Sequence, residues 1–315
     1  MDICNWKFLT ICKMCVILVY GIGGERVKKR FAKVYLEITN ICNLHCDFCP
    51  GNLRPPHSVT PQEFETLVDK LRPYTDYLYF HVMGEPLLHP QLEELFDIAQ
   101  SRGYHVAITT NGTRIAARHG MLIRYATAPL YKVSVSLHAY EANGQTVLDE
   151  HFAPTVELAR ELSARGTIVA LRLWNLDGQS REAAHNEDNE AILNALHHAF
   201  PEEWVAHHNG YKLRDRLYLE WGERFDWPSL TCAPDYGERG SCYGLRDQIG
   251  VLCDGTVVPC CLDGEGIMAL GNLHTQSMEE ILNAPRTCAI VDGFAKNRRV
   301  EALCRHCGYS QRFLK

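Results

Sequence analysis

The sequence predicts an α/β fold in which parallel strands curve into a partial (β/α)6 barrel, with a small cysteine-rich module of a β-hairpin and helices towards the C-terminus. Short apolar runs alternate with helical patterns from about residue 34 to residue 221. Runs such as Val106-Ala107-Ile108 are continuously apolar, which is typical of parallel strands covered on both faces. Six such units place functional residues at the carboxyl ends of the strands. The predicted strands are 34–38, 77–83, 104–109, 131–137, 167–174 and 216–221.

The helices between these strands have clear sequence boundaries. Thr60-Pro61-Gln62-Glu63 predicts a capping box with proline in the first helical turn. Residues 91–101 place their apolar side chains on one face, and Gly103 is positioned to end that helix. Residues 187–200 predict a further amphipathic helix in the weakly patterned segment before the last strand.

Composition excludes some function classes and favours metal binding. The 315 residues are 46% hydrophobic and carry a formal net charge of −6, so binding to nucleic acid or to an acidic membrane is not indicated. Fourteen cysteines without a convincing signal peptide indicate a reducing cytoplasm and metal ligation rather than a disulfide framework. The cysteines fall in groups at both ends of a long cysteine-free middle, which indicates two separate metal sites.

The first 26 residues differ from the rest of the chain. Residues 8–20 are apolar apart from Thr10 and Lys13, a faint likeness to a secretion signal that is too short to predict a membrane span. Gly23-Gly24-Glu25-Arg26 is what a purine-rich ribosome-binding sequence encodes when it is translated, and Val27 fits a GTG start codon. We therefore expect residues 1–26 to be an N-terminal extension that is not native.

The most informative motif follows the first predicted strand. Cys42, Cys46 and Cys49 lie four and then three residues apart on a loop. Thiolates are the soft ligands that iron–sulfur clusters and zinc select. Three cysteines would leave one iron of a cubane cluster free to bind something else, whereas a structural zinc ion needs four ligands, for which His45 is the available fourth.

This cysteine spacing, with Phe48 just before the third cysteine, resembles that of radical S-adenosylmethionine (SAM) enzymes, and Glu37-Ile38-Thr39-Asn40-Ile41 before the first cysteine strengthens the match. The resemblance implies that Cys42, Cys46 and Cys49 hold a [4Fe–4S] cluster whose open iron binds SAM. Reductive cleavage of SAM would then give a 5′-deoxyadenosyl radical that abstracts hydrogen from a substrate. It also implies an electron donor such as flavodoxin or ferredoxin.

Further residues at strand ends match the SAM site of that family. Met83-Gly84-Glu85-Pro86 resembles its Gly-Gly-Glu-Pro motif, in which backbone and acid hold the SAM amino group, although Met83 replaces the first glycine. Asn111 ends the third strand and Ser136 ends the fourth, at positions that face the cofactor in relatives. The resemblance thus implies cofactor contacts by Phe48, Gly84, Glu85, Asn111 and Ser136. A glycine-rich adenine contact after the fifth strand is missing.

The C-terminal cysteines resemble the SPASM and twitch extensions of radical SAM enzymes. Asp254-Gly255 predicts a hairpin turn, and Cys304-Arg305-His306-Cys307 lies close to the end. The resemblance implies one auxiliary [4Fe–4S] cluster, because no cysteine follows Cys307. A structural zinc ion is the alternative. The expected ligands are Cys242, Cys260, Cys304 and Cys307, with Cys253 or Cys261 able to displace one of them.

The resemblance divides the chain into the extension 1–26, a radical SAM core over 27–225 and a SPASM/twitch-like module over 226–315. Several relatives modify peptides or protein side chains, so the expected substrate is a peptide or protein. A small molecule or RNA is the alternative substrate, and a non-catalytic iron–sulfur or zinc protein is the alternative from a different class. A glycyl-radical activase is disfavoured, because no cysteine lies between Cys49 and Cys232.

Overall fold

The computed structural model describes residues 29–313, apart from 142, 145–147, 149 and 177–186. The predicted extension 1–26 lies outside the described residues. None of the described helices is long and apolar enough to cross a membrane. The eleven strands are β1 Lys33–Leu36, β2 Tyr77–Phe80, β3 His105–Thr110, β4 Leu130–Ser136, β5 Ile168–Leu176, β6 Val205–His207, β7 Gly210–Arg214, β8 Leu217–Glu223, β9 Gln248–Val251, β10 Thr256–Val258 and β11 Gly271–Asn272.

All eleven strands form one open sheet. Its order is β11-β10-β9-β1-β2-β3-β4-β5-β8-β7-β6. The central strands β1, β2, β3, β4, β5 and β8 pair in parallel and correspond to the six predicted strands. The predicted α/β partial barrel is confirmed, although β2 ends at Phe80 and the predicted residues 81–83 belong to the loop at the barrel mouth.

Helices cover the outside of the curved sheet. The capping box predicted at Thr60 is formed and a second one is present at Ser277; each hydroxyl accepts a hydrogen bond from the backbone N–H three residues ahead. Gly103 has a φ of +68° just after α2, as expected of a residue that ends a helix. The helices are α1 Pro61–Leu71, α2 Leu92–Ser101, α3 Ile115–Arg124, α4 His138–Glu141, α5 Phe152–Ala164, α6 Glu187–Ala199, α7 Met278–Asn283, α8 Pro285–Ala295 and α9 Ala302–Arg305.

Strand alternation separates the core from the barrel interior. On β1, Val34 and Leu36 are fully buried in the hydrophobic core between sheet and helices. The alternate residues of the strand, Lys33 and Tyr35, line an interior cavity instead. The interior of the barrel is therefore polar and aromatic, while the layer between sheet and helices is apolar.

Two parts of the sheet were not predicted. The β6–β7 hairpin extends one edge, and its first strand is exposed along its whole length, so no apolar alternation marks it. At the other edge, β9 pairs in parallel with β1, with Lys33 opposite Gln248. The C-terminal module therefore continues the barrel sheet rather than forming a separate body.

A buried ion pair links the loop after β1 to the C-terminal module. The Glu37 side chain is fully buried and lies 2.7 Å from the guanidinium of Arg54. The same carboxylate accepts hydrogen bonds from the backbone of Met83 at 3.1 Å and of Cys253 at 3.0 Å. One side chain thus connects the ends of β1, β2 and β9.

Glu37→Ala is expected to lower the free energy of unfolding by about 3–5 kcal/mol, because Arg54 and two backbone N–H groups lose their buried acceptor. Anaerobic guanidinium unfolding of the reconstituted protein measures this loss. Asp215→Ala is the matched control, because Asp215 pairs with Lys212 on the exposed β7–β8 turn, and it should leave stability nearly unchanged. Equal effects of the two variants would contradict the structural role of Glu37.

Candidate active site

Three cysteines lie on the loop that follows β1, at the mouth of the barrel. The backbone N–H of Cys49 donates to the carbonyl of Cys46 at 3.0 Å, which forms a tight turn between the second and third thiols. Cys42 and Cys49 are exposed and Cys46 is half-buried. The loop therefore presents all three thiols at the carboxyl ends of the parallel strands, where function was predicted.

Two side-chain amides face these sulfurs. The Asn111 amide nitrogen lies 3.8 Å from Cys42 Sγ, and the Asn143 amide nitrogen lies 3.2 Å from Cys46 Sγ. Asn143 also accepts a hydrogen bond from the backbone of His45 at 2.9 Å. N–H donors of this kind stabilise negative charge on sulfur. Asn111 was expected near the cofactor, whereas Asn143 carries no sequence signal.

The three thiols suit a group larger than one metal ion. Burial raises the pKa of the half-buried Cys46, and the charges of Cys49 and Cys42 raise it further. A zinc ion with Zn–S bonds of about 2.3 Å needs its ligand sulfurs about 4 Å apart. Among the described residues, no three ligand atoms from these cysteines and His45 lie within 4.8 Å of one another. Three thiolates are a donor set that an iron–sulfur cluster accepts.

Gly84 allows two backbone segments to touch beside the cysteine loop. Its φ is +76°, and a Cβ at this position would lie 2.3 Å from the carbonyl oxygen of Thr39. The next residue, Glu85, donates its backbone N–H to the carbonyl of Ile41 at 2.9 Å. The loop after β2 thus supports the segment leading into Cys42. A residue with a Cβ at position 84 would displace that segment.

The Glu85 carboxylate is buried and accepts three hydrogen bonds. It accepts hydrogen bonds from Leu87 N at 2.9 Å, from Thr110 Oγ1 at 2.7 Å and from Asn111 N at 2.6 Å. Burial raises its pKa to about 7 in spite of these donors, which lower it. The carboxylate therefore connects the ends of β2 and β3 and positions Asn111. Its predicted contact with the SAM amino group stays a prediction.

A cavity of about 490 Å³ runs from the cysteine loop to the C-terminal module. Phe48, Ser136 and His138 line it near the barrel mouth. The rings of Phe48 and His138 lie 4.9 Å apart, and burial lowers the pKa of His138 to about 4, so this imidazole is neutral at pH 7. Two of the predicted cofactor contacts, Phe48 and Ser136, thus share one cavity with the second cysteine group.

The four predicted auxiliary ligands, Cys242, Cys260, Cys304 and Cys307, lie together at the far side of this cavity. Burial raises the pKa of Cys304, and the charges of Cys242 and Cys307 raise it further. Burial also raises the pKa of Cys260, and the charges of Cys261, Cys242 and Cys304 raise it further. No three of these sulfurs lie within 4.8 Å of one another in the described part of the chain.

A buried arginine lies beside these cysteines with unused donors. Arg299 is 1% exposed, and its Nε and Nη2 have no hydrogen-bond partner within the described residues. Its charge lowers the pKa of Cys242 and Cys307, whose pKa burial raises. A buried cation with free N–H groups beside four thiols fits a negatively charged cluster bound there.

The two alternative ligands, Cys253 and Cys261, each have partners outside the set of four. Cys253 is 1% exposed, receives a hydrogen bond from Arg54 at 3.6 Å and has its pKa raised to about 12 by burial and by Glu37. Cys261 faces Lys33 and the hydroxyl of Tyr35 on the barrel side. Cys261 also interacts with Cys242 and lines the cavity, so it stays an alternative to Cys260.

The chain resembles known proteins in both parts of this site. Residues 36–187 match the radical SAM superfamily, and residues 242–308 match the SPASM iron–sulfur cluster-binding domain. A GTP 3′,8-cyclase from Haemophilus ducreyi is 32% identical over 100 residues, 29% of each chain. Mycofactocin maturase MftC from Mycobacterium ulcerans is 28% identical over 134 residues, 41% of this chain and 36% of MftC. The matched stretches thus span about a third of these curated relatives.

Solved structures share the fold over most of the chain. BtrN in complex with AdoMet and 2-DOIA superposes with a TM-score of 0.54 at 16% identity, over 89% of this chain and 94% of BtrN. Streptococcus suis SuiB bound to precursor peptide SuiA superposes with a TM-score of 0.54 at 13% identity, over 89% of this chain and 70% of SuiB. Together with the two domain matches, the cysteine loop, the Gly84 contact and the second cysteine group identify the chain as a radical SAM enzyme with a C-terminal SPASM iron–sulfur cluster-binding domain.

Proposed function

We propose that this enzyme cleaves SAM reductively and abstracts hydrogen from a side chain of a peptide or protein. The observation that carries the proposal is the cavity of about 490 Å³ that is lined by Phe48 and Ser136 on one side and by Cys260 and Cys304 on the other. A substrate in it would lie between both cysteine groups. When bound, the first cluster and SAM supply the 5′-deoxyadenosyl radical.

The residues of this chain hold and shield that chemistry. Asn111 and Asn143 donate towards the cysteine sulfurs, and Glu85 fixes Asn111 through its backbone. Phe48 and the aromatic rings of the C-terminal module line the cavity and exclude water from a reactive radical. Four cysteines around the auxiliary cluster favour an electron relay from the substrate over direct binding of the substrate to iron.

Similarity supports a peptide substrate without deciding it. SuiB, which shares the fold, has been solved with a precursor peptide, and MftC is described as a maturase. GTP 3′,8-cyclase and BtrN favour a small molecule as the second candidate. The cavity volume falls within the range of small-molecule sites, about 300–1,000 Å³.

The test uses anaerobically reconstituted protein with SAM and dithionite in place of the natural donor, for which flavodoxin or ferredoxin is our candidate. Peptide and small-molecule fractions are prepared from cells that naturally contain this protein. Each fraction is added separately, and the 5′-deoxyadenosine formed and the masses of the products are measured. We expect the peptide fraction to stimulate 5′-deoxyadenosine formation and one peptide to lose hydrogen. Stimulation by the small-molecule fraction alone would overturn the peptide assignment, and no 5′-deoxyadenosine with either fraction would overturn the proposed activity.

A further inference from the structure

A second cavity, of about 830 Å³, is a groove where the β6–β7 hairpin meets the end of β8. Its lining carries several aromatic and imidazole rings, which belong to His197, Trp204, His207, His208, Tyr211 and Trp221. In the described part of the chain, no cysteine of either predicted cluster lines this groove. A groove with this lining suits an organic group that bears a ring rather than a metal cluster.

The rings of the groove are held in place by the elements around it. Trp204 stacks on His197 of α6, with ring centroids 3.7 Å apart and an interplanar angle of 12°. Its indole Nε1 donates to the carbonyl of Phe200 at 3.0 Å, which fixes the ring against the end of α6. Tyr211 lies on β7, with its ring centroid 5.9 Å from that of Trp204. An occupant would therefore not have to order these side chains when it binds.

The groove adjoins the cavity that lies between the two cysteine groups. Glu223 lines both spaces. Arg312, which lines the groove, donates from Nη2 to the carbonyl of Glu223 at 2.9 Å. Its guanidinium carbon lies 5.7 Å from the ring centroid of Phe225 and 4.8 Å from that of Tyr309, and both of these rings line the cavity. The two spaces thus meet at a ridge formed by Glu223 and Arg312.

An extended peptide can occupy both spaces at once, whereas a small molecule that fills the cavity alone does not reach the groove. Each residue of an extended chain advances by about 3.3 Å, so a peptide with its reacting residue in the cavity would cross Glu223 within a few residues. Beside the groove, β6 is the last strand of the sheet and all three of its residues are exposed. No other strand of the described chain pairs with its outer edge, which leaves that edge open to an extended segment.

The lining selects for a ring rather than for a charge. Besides its histidines, the charged side chains that line the groove among the described residues are one carboxylate, Glu223, and one guanidinium, Arg312, which favour opposite charges in an occupant. The faces of Trp204 and Tyr211 pack against a further aromatic ring more favourably than burial alone accounts for. The formal net charge of −6 disfavours nucleic acid as the source of that ring.

We propose that this groove binds an aromatic side chain of the peptide substrate, a few residues from the residue that loses hydrogen. The inference rests on the proposed peptide substrate and narrows it to peptides with an aromatic residue near the modified one. Binding in the groove would hold the reacting residue in the cavity through the intervening backbone.

Two probes test the proposal by anaerobic calorimetry on the reconstituted enzyme with SAM, namely acetyl-Ala-Phe-Ala-amide and acetyl-Ala-Leu-Ala-amide. We expect the phenylalanine peptide to bind about twofold to tenfold more tightly. Trp204→Ala should abolish this preference, and Trp204→Phe should retain part of it. Tyr77→Ala is the matched control and should keep the preference, because Tyr77 is an exposed aromatic residue at the start of β2, outside the groove.

Trp227→Ala separates the groove from the cavity, because Trp227 lines the cavity but not the groove. The preference should survive this change. No preference in the wild type, or a preference that survives Trp204→Ala, overturns the proposal. Loss of the preference in Trp227→Ala alone assigns the ring to the cavity, which also overturns it.

Iron content and SAM affinity are measured for every variant, and both should match the wild type in Trp204→Ala. If Trp204→Ala does not fold, Tyr211→Ala replaces it, because Tyr211 lines the same groove and its side chain is exposed. A preference that survives Tyr211→Ala undiminished would then overturn the proposal. These readouts do not require turnover, so failure of the groove and failure of the proposed activity are recognised separately.

Discussion

Replacing Cys46 with alanine is expected to reduce 5′-deoxyadenosine formation at least about a thousandfold. Cys46 lies between the other two cysteines of the loop, and its sulfur receives the Asn143 amide at 3.2 Å. Two thiolates cannot replace three as ligands of a [4Fe–4S] cluster. The iron content should therefore fall from about eight to about four per chain, because the auxiliary cluster is retained.

The measurement combines iron analysis with chromatographic assay of 5′-deoxyadenosine in anaerobic, dithionite-reduced protein. Cys232→Ala is the matched control, because Cys232 is exposed and hydrogen-bonds only locally to Ser229 and Thr231. That control should keep about eight irons and wild-type turnover. Wild-type turnover in Cys46→Ala would remove the basis for assigning the three cysteines to catalysis.

The sequence predicts the barrel well because apolar runs mark its strands directly. All six predicted strands are present, since each buries an apolar face under helices. The β6–β7 hairpin carries no such pattern, because it lies at an exposed edge. The parallel pairing of β9 with β1 joins residues more than two hundred positions apart, and nothing local in either strand specifies its partner.

The site is predictable to the extent that short motifs define it. The three cysteines, Gly84 and Asn111 come from motifs within one loop each, and the structure brings their loops together. The Asn143 amide is different, because its only signal is a tertiary contact with Cys46 across 97 residues of chain. Arg172, which lines the cavity, does have a sequence signal: it is a charged residue inside the apolar run Leu171-Arg172-Leu173.

The choice among neighbouring cysteines shows the same limit. Spacing cannot decide between Cys260 and Cys261, because consecutive side chains on an extended segment point to opposite sides. In the structure both thiols line the cavity: Cys260 interacts with Cys261, Cys242 and Cys304, and Cys261 interacts with Lys33, Tyr35 and Cys242. The ligand set Cys242, Cys260, Cys304 and Cys307 stays a prediction until the metal content of variants is measured.

Cys304→Ala is expected to remove the auxiliary cluster while leaving the first one in place. Cys304 lies on α9, its thiol is 3.6 Å from the sulfur of Met268, and it lines the cavity with the other three ligands. Iron should fall from about eight to about four per chain. SAM cleavage should stay within about tenfold of wild type, because the Cys46 loop is untouched. The modified substrate should disappear, because an electron relay from the substrate is lost.

Cys253→Ala separates this prediction from a general effect of removing a buried thiol. Cys253 is also buried in the C-terminal module, but it packs on Glu37 and Arg54 rather than on the cavity. It should keep about eight irons and full substrate modification, with stability lowered by about 1 kcal/mol. If Cys253→Ala loses four irons while Cys304→Ala keeps eight, the auxiliary cluster is held by a different set of thiols and does not lie beside the cavity. If Cys304→Ala loses four irons and still forms product, the auxiliary cluster has a structural role and the electron leaves the substrate by another route.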